Sequence, residues 1–209
     1  MFAILRQDQG GAQGAFFGGI APGLEATALA LLDPAHDAPL AVYMVVAGQT
    51  NRAGLARYAG FARMVTGTVR RLEHHGAPTM LAVRGYSLKG RSRVHGELIE
   101  LGALLRWQLL RRQWAVTEVP PGTLHRFAAG GGDPSPAVLA AALAALYRRS
   151  FASAREAEAY GLAHIARALL YPEDYTPERV QALTQIARVR ALQAHFKQEA
   201  RKTRVWGAE

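Results

Sequence analysis

The densest chemical signal in the sequence is a short basic stretch, Lys89-Gly90-Arg91-Ser92-Arg93, with Tyr86 just ahead of it. Ammonium and guanidinium groups bind phosphate oxygens, and an aromatic ring offers a face on which a base can stack. A solvated surface turn is the plainer reading of the same composition. The charge around the stretch favours the first: residues 38–96 hold nine Lys/Arg against one acid, Glu73. Residues 176–209 hold seven against Glu178, Glu199 and Glu209. The whole chain carries 25 basic residues, 22 of them Arg, against 16 acids, a formal charge of +9. That balance favours a polyanionic partner, although Arg and Ala richness also accompanies GC-rich coding.

Other chemistries lack their residues. With no cysteine there is no disulfide framework or thiolate zinc site, which fits a reducing cytoplasm. No GxxxxGK[ST], GxSxG or HExxH pattern occurs, so P-loop hydrolysis, serine hydrolysis and zincin chemistry have no support. His74, His75 and His95 read as ordinary surface or core histidines. Glu97 and Glu100 read as an exposed helix face. Ser153-Ala154-Arg155-Glu156 fits a capping box, with Glu156 bonding back to the Ser153 amide.

The elements that must position these groups alternate. The chain has 209 residues, half of them apolar, enough for one domain with an appendage. Residues 2–6, the turn Gly10-Gly11 and residues 15–20 predict a hairpin. Residues 40–47 (LAVYMVVA) are a continuous apolar run that suits a central strand buried on both faces. A helix over 51–74 and a strand over 79–83 follow, then a helix over 96–112 and a strand over 114–119 stopped by Pro120-Pro121. Helices are predicted over 134–149, capped by Asp133, over 153–171, and from Thr176 to about 204. Strands alternating with helices predict an α/β sheet flanked by helices. No segment has the 18 apolar residues of a membrane span, so neither export nor a membrane partner is expected.

Four stretches in this order resemble the RuvC family of Holliday junction resolvases, which has a ribonuclease H-like fold: ILRQDQGGAQG (4–14), LAVRGYS (81–87), VPPGTLHRFAAGGG (119–132) and REAEAYGLA (155–163). They look like the family's first-strand Asp and glycine turn, its second catalytic strand, its Pro-Pro and glycine loop, and the acidic start of its late helix. The resemblance covers roughly residues 2–170. It implies an α/β, ribonuclease H-like mixed sheet flanked by helices over 1–172, with a basic helical extension over 173–209.

The family's nuclease uses two magnesium ions held by four clustered carboxylates. Carried onto this sequence, those positions read Asp8, Arg84, Arg155 and Glu158. Asp8 and Glu158 are then the remnant catalytic acids, and a guanidinium cannot ligate a metal. The lysines of the family's loops are missing too: His125-Arg126 follow Pro-Pro, and Pro136 stands after the glycines. The expectation is therefore no metal site and no cofactor. Arg84 and Arg155 either replace the cations at a phosphate, or pair with the acids, Arg84 with Asp8 and Arg155 with Glu158.

These readings together predict a cytoplasmic DNA-binding homologue, serving DNA recombination or repair. It would grip branched (Holliday junction) or duplex DNA by shape and phosphate contacts through Arg84, Tyr86, Lys89, Arg91, Arg93, His125, Arg126 and Arg155. The resemblance adds a homodimer, since a junction is two-fold symmetric. One alternative is an active Mg-dependent crossover junction endodeoxyribonuclease using Asp8, Glu158 and a relocated third ligand. Another is a structural or regulatory subunit that meets protein or RNA.

Overall fold

The computed structural model describes residues 15–34, 39–46, 54–86, 93–131, 135–184 and 186. The strand over 2–6, the Gly10-Gly11 turn and the helix beyond 186 lie outside them. Five strands form one mixed sheet, β1 (Phe16–Ala21), β2 (Ala26–Leu32), β3 (Pro39–Val46), β4 (Pro78–Arg84) and β5 (Val116–Val119), in the order β3-β2-β1-β4-β5. The β1–β2 and β2–β3 pairs are antiparallel, and β1–β4 and β4–β5 are parallel. Helices α1 (Gly54–His75), α2 (Arg93–Arg111), α3 (Pro121–Ala129), α4 (Pro136–Tyr147), α5 (Ala154–Ala168) and α6 (Pro177–Ala182) complete the described part. This is the ribonuclease H-like α/β architecture.

The strand pairing corrects two expectations. Both edges of β1 are taken, by β2 and β4, so its hairpin partner is residues 26–32 and not 2–6. The run over 40–47 is not central: β3 is an outer strand of the described sheet, with Ala41, Tyr43 and Val45 buried and the residues between them less so. Its alternation is that of a strand covered mainly on one face.

Each strand sends alternate residues to two cores. Phe16, Ile20, Leu29, Leu31, Leu81 and Val83 face α1 and α2, among Phe61, Met64, Leu72, Leu101 and Leu105. Phe17, Ala28, Ala30, Leu32, Met80 and Ala82 face α5 and α3, among Ala159, Leu162, Ala163, Leu124 and Phe127. The α5 side of the sheet is lined by small residues, which lets an alanine-rich helix lie almost on the strands. At Gly19 no Cβ fits at all, because it would fall inside contact distance of the Ala159 carbonyl oxygen and the Ala163 amide. All residues of α5 from Ala157 to Ala168 are consequently buried.

Local signals set the helix ends. Pro120-Pro121 does more than stop β5, because Pro121 sits in the first turn of α3, where a missing N–H costs nothing. Ser135 caps α4, its hydroxyl accepting from the Val138 amide at 3.3 Å, where Asp133 was expected and lies outside the described residues. Ala182, Leu183 and Ile186 pack into the same core as α3 and α5, so the start of the basic C-terminal segment is part of the folded body. Among the described residues no helix is long and apolar enough to cross a membrane.

Candidate phosphate-binding cleft

Three chain segments meet where β1 and β4 end: Pro22-Gly23 after β1, Arg84 at the end of β4, and the first turn of α5. Ser153 fixes that turn, its hydroxyl accepting from the Glu156 amide at 3.1 Å, while the Glu156 carboxylate accepts from the Ala152 amide at 2.9 Å. The capping box thus closes one residue earlier than the sequence suggested. With Glu156 held outward by these bonds, Arg155 and Glu158, one turn apart, face the strand ends.

The pairing differs from both expected pairs. Arg84 pairs with Glu158, its Nη1 donating to Oε2 at 3.2 Å while Nε lies 3.1 Å from Oε1 without a hydrogen bond to it. Arg155 forms no ion pair among the described residues and instead donates from Nη1 to the Pro22 carbonyl oxygen at 2.9 Å. Its guanidinium lies so close to the Gly23 Cα that any side chain there would overlap it. Glu158 is only 8% exposed. Burial pushes its carboxyl above the ordinary glutamate range, against the opposing pull of Arg84 and then Arg155. The two guanidinium ions leave the cluster at +1 even when Glu158 is ionised.

These groups line a cleft of about 120 Å³ with Pro121, Leu124, His125, Pro136, Leu139 and Ala154. Pro121, Pro136 and Ala154 each open a helix, so three helix N-termini add their positive dipole ends to the two guanidinium groups. His125 is 5% exposed and faces this cleft, whereas its neighbour Arg126 is exposed and lines a separate, shallower depression with Gly130, Glu178 and Gln181. Arg126 is therefore not brought to the cleft.

Tyr86 is half-buried rather than presented on the surface. Its ring packs on Gly102 of α2 under the Arg106 guanidinium, 5.8 Å from the ring centre. Its buried hydroxyl has no hydrogen-bond partner among the described residues, and burial pushes the phenol up to about 12, against the pull of Arg84 and Arg106. Tyr86→Phe should accordingly leave stability at pH 7 within about 0.5 kcal/mol of wild type, since it removes an unsatisfied group and keeps the ring. An unfolded tyrosine ionises near pH 10 and the folded one near 12. Stability from this group is whole below pH 10 and drains away between 10 and 12. Urea titrations across that range should show a shallower alkaline decline in the variant.

Lys89 and Arg91 lie outside the described residues, as does the side chain of Arg93, the first residue of α2. The sequence reading missed the buried role of Glu97, 6% exposed, which pairs with Arg57 of α1 at 3.5 Å beside the Arg57–Glu100 bond of 2.9 Å. Opposite charges on two helices more than one turn of chain apart give no local signal. It also missed Ala21. Asp8 lies outside the described residues, and in this sheet the strand beside β4 is β1, so the place just after the first strand falls at Ala21-Pro22.

Magnesium does not suit this residue set. A hard divalent cation needs several oxygen ligands. The strand and helix ends supply Ala21, Arg84, Arg155 and one carboxylate, and the Arg84 guanidinium lies against that carboxylate, 3.1 and 3.2 Å from its two oxygens. Among the described residues no group of three His, Asp or Glu is placed to hold a metal ion.

A ribonuclease H-like sheet with an arginine-lined cleft at its strand ends thus defines the class. Solved structures agree on the fold. RuvC of Thermus thermophilus, in a structure with a Holliday junction substrate, superposes with a TM-score of 0.59 over 77% of this chain and 96% of RuvC, at 13% identity. A second Thermus thermophilus RuvC structure gives the same score and identity over 76% and 96%. No protein-family model and no curated protein sequence matches the chain.

Proposed function

We propose that this protein is a RuvC-like DNA-binding protein that holds branched or duplex DNA by its phosphates, without metal-dependent cleavage at the strand-end cleft. The observation that carries this reading is the Arg84–Arg155–Glu158 cluster, in which fixed positive charge lines the cleft and the one carboxylate is taken by Arg84. The fold it shares with RuvC, one structure of which contains a Holliday junction substrate, supports a branched partner. Phosphate contacts position a protein on DNA without reading sequence, as recognition of shape requires. Lys89, Arg91, Arg93 and His125 complete the proposed footprint.

Each arginine that neutralises a phosphate adds about one unit to the slope of log affinity against log salt. Arg155→Gln should weaken four-way junction and duplex binding alike and lower that slope by about 1, as read by fluorescence anisotropy from 50 to 300 mM KCl. An unchanged slope would remove Arg155 from the interface.

We also propose a homodimer through the outer face of α2. Leu104, Trp107 and Leu110 follow one another at helical spacing and are 36%, 60% and 57% exposed, a row of apolar side chains that a second copy of the same helix would cover. Sedimentation should give a dimer for wild type and a folded monomer for Trp107→Glu; a monomeric wild type would end this part of the proposal.

A further inference from the structure

We infer that the strand-end cleft is a binding site for a single tetrahedral oxyanion, inorganic or carried by a phosphodiester, and that the Glu158 carboxylate is its internal competitor. The phosphodiester arm rests on the nucleic-acid reading; the site itself does not.

The geometry of the Arg84 grip is the starting point. The Arg84 guanidinium donates to one Glu158 oxygen and lies within 3.1 Å of the other, so it already holds a two-oxygen anion where one edge of a phosphate would sit, and its Nε–H is left for a further acceptor. Glu158 therefore occupies from within the position an external oxyanion would take. Arg155 supplies the second arm of the site: one nitrogen holds the Pro22 carbonyl oxygen, and among the described residues the group makes no direct ion pair, acting on Glu158 only at longer range. The remaining wall is suited to a small anion. Pro121, Leu124, Pro136 and Leu139 exclude water from one side, and α3, α4 and α5 all begin there. The volume of about 120 Å³ leaves room for one such group.

A buried carboxylate between two guanidinium groups reduces affinity in two ways. It satisfies Arg84, and it repels an incoming anion. Ligand entry requires Glu158 to leave Arg84, and the exchange replaces one ion pair by another. Replacing the carboxylate by its neutral isostere removes the competitor while leaving a carbonyl oxygen for Arg84.

Sulfate is the probe, because its charge does not change near neutral pH. Calorimetric titration of the full chain at pH 7 and low ionic strength should show weak sulfate binding to wild type. Affinity should rise about tenfold or more in Glu158→Gln, the equivalent of one charge-assisted hydrogen bond. Adding Arg155→Gln to that variant should abolish the gain. Equal or weaker sulfate binding by folded Glu158→Gln overturns the inference. Should that variant fold poorly, wild type decides by itself: under arginine-selective labelling read by mass spectrometry, sulfate must protect Arg84 and Arg155 and leave exposed Arg111 unaffected. Absence of that selective protection also overturns it. The same variants with a four-way junction separate the two readings. Tighter sulfate binding without any DNA binding keeps the oxyanion site and ends the nucleic-acid proposal. DNA binding insensitive to Glu158→Gln and Arg155→Gln, with no sulfate site, ends this inference and leaves DNA binding to other residues.

Discussion

Gly19→Ala will cost about 4 kcal/mol or more, a large share of the roughly 5–15 kcal/mol that stabilises an ordinary domain. The added methyl would meet backbone, the Ala159 carbonyl oxygen and the Ala163 amide, with the Leu162 carbonyl carbon 2.9 Å away. Backbone in the middle of a buried helix has nowhere to go, so α5 must lift off β1. That would displace the helix carrying Arg155 and Glu158 from the strand end carrying Arg84. Gly18→Ala is the control. Its methyl also overlaps a neighbour, but that neighbour is the end of a flexible leucine, Leu81, and the cost should be about 1–2 kcal/mol. Urea unfolding followed by far-ultraviolet circular dichroism measures both. Equal losses at the two glycines would mean that α5 does not sit where the close packing places it.

The second large effect is a gain. Ala21→Asp, Arg84→Glu and Arg155→Asp together change the strand-end cluster, with Glu158, from +1 to −4. Four carboxylates at these positions form the oxygen-rich set that hard divalent cations need. The triple variant should be less stable than wild type without metal, because four carboxylates crowd together. In millimolar Mn²⁺ its Tm should climb by several degrees, by the linkage of ligand binding to folding, whereas the Tm of wild type should stay fixed. Calorimetry should show Mn²⁺ binding at least a hundredfold tighter than wild type. The same substitutions should lower metal-free DNA affinity, since they remove both arginines of the cleft. A triple variant that folds and ignores Mn²⁺ would show that residues 21, 84, 155 and 158 do not share one site.

Much of this was legible in the sequence, and the misses have physical causes. Arg84, Arg155 and Glu158 are grouped as one site in the sequence only by the resemblance to the RuvC family, and the structure brings them together across 74 residues between Arg84 and Glu158 because strand ends and helix starts converge in this fold. Their pairing was not legible, since which acid an arginine reaches depends on side-chain paths that only the packed structure fixes. β4, β5, α1, α2 and α4 were placed from periodicity and turn residues. β2 (ATALALL) was missed because alternating alanines carry almost no strand signal; their smallness serves the close approach of α5. That miss gave β1 the wrong partner and placed the end of the first strand near Asp8 instead of at Ala21. Tyr86 was read as a stacking surface from its basic neighbours, yet its ring is buried by a glycine in α2 that lies 16 residues further on.

The direct test of the account is a binding and cleavage series with labelled four-way junction, duplex and single strand, in Mg²⁺, in Mn²⁺ and in chelator. The account predicts salt-sensitive junction binding that needs no divalent cation and persists in chelator, with intact strands in all three conditions. Metal-dependent strand cleavage, abolished by Glu158→Gln or Asp8→Ala, would contradict it.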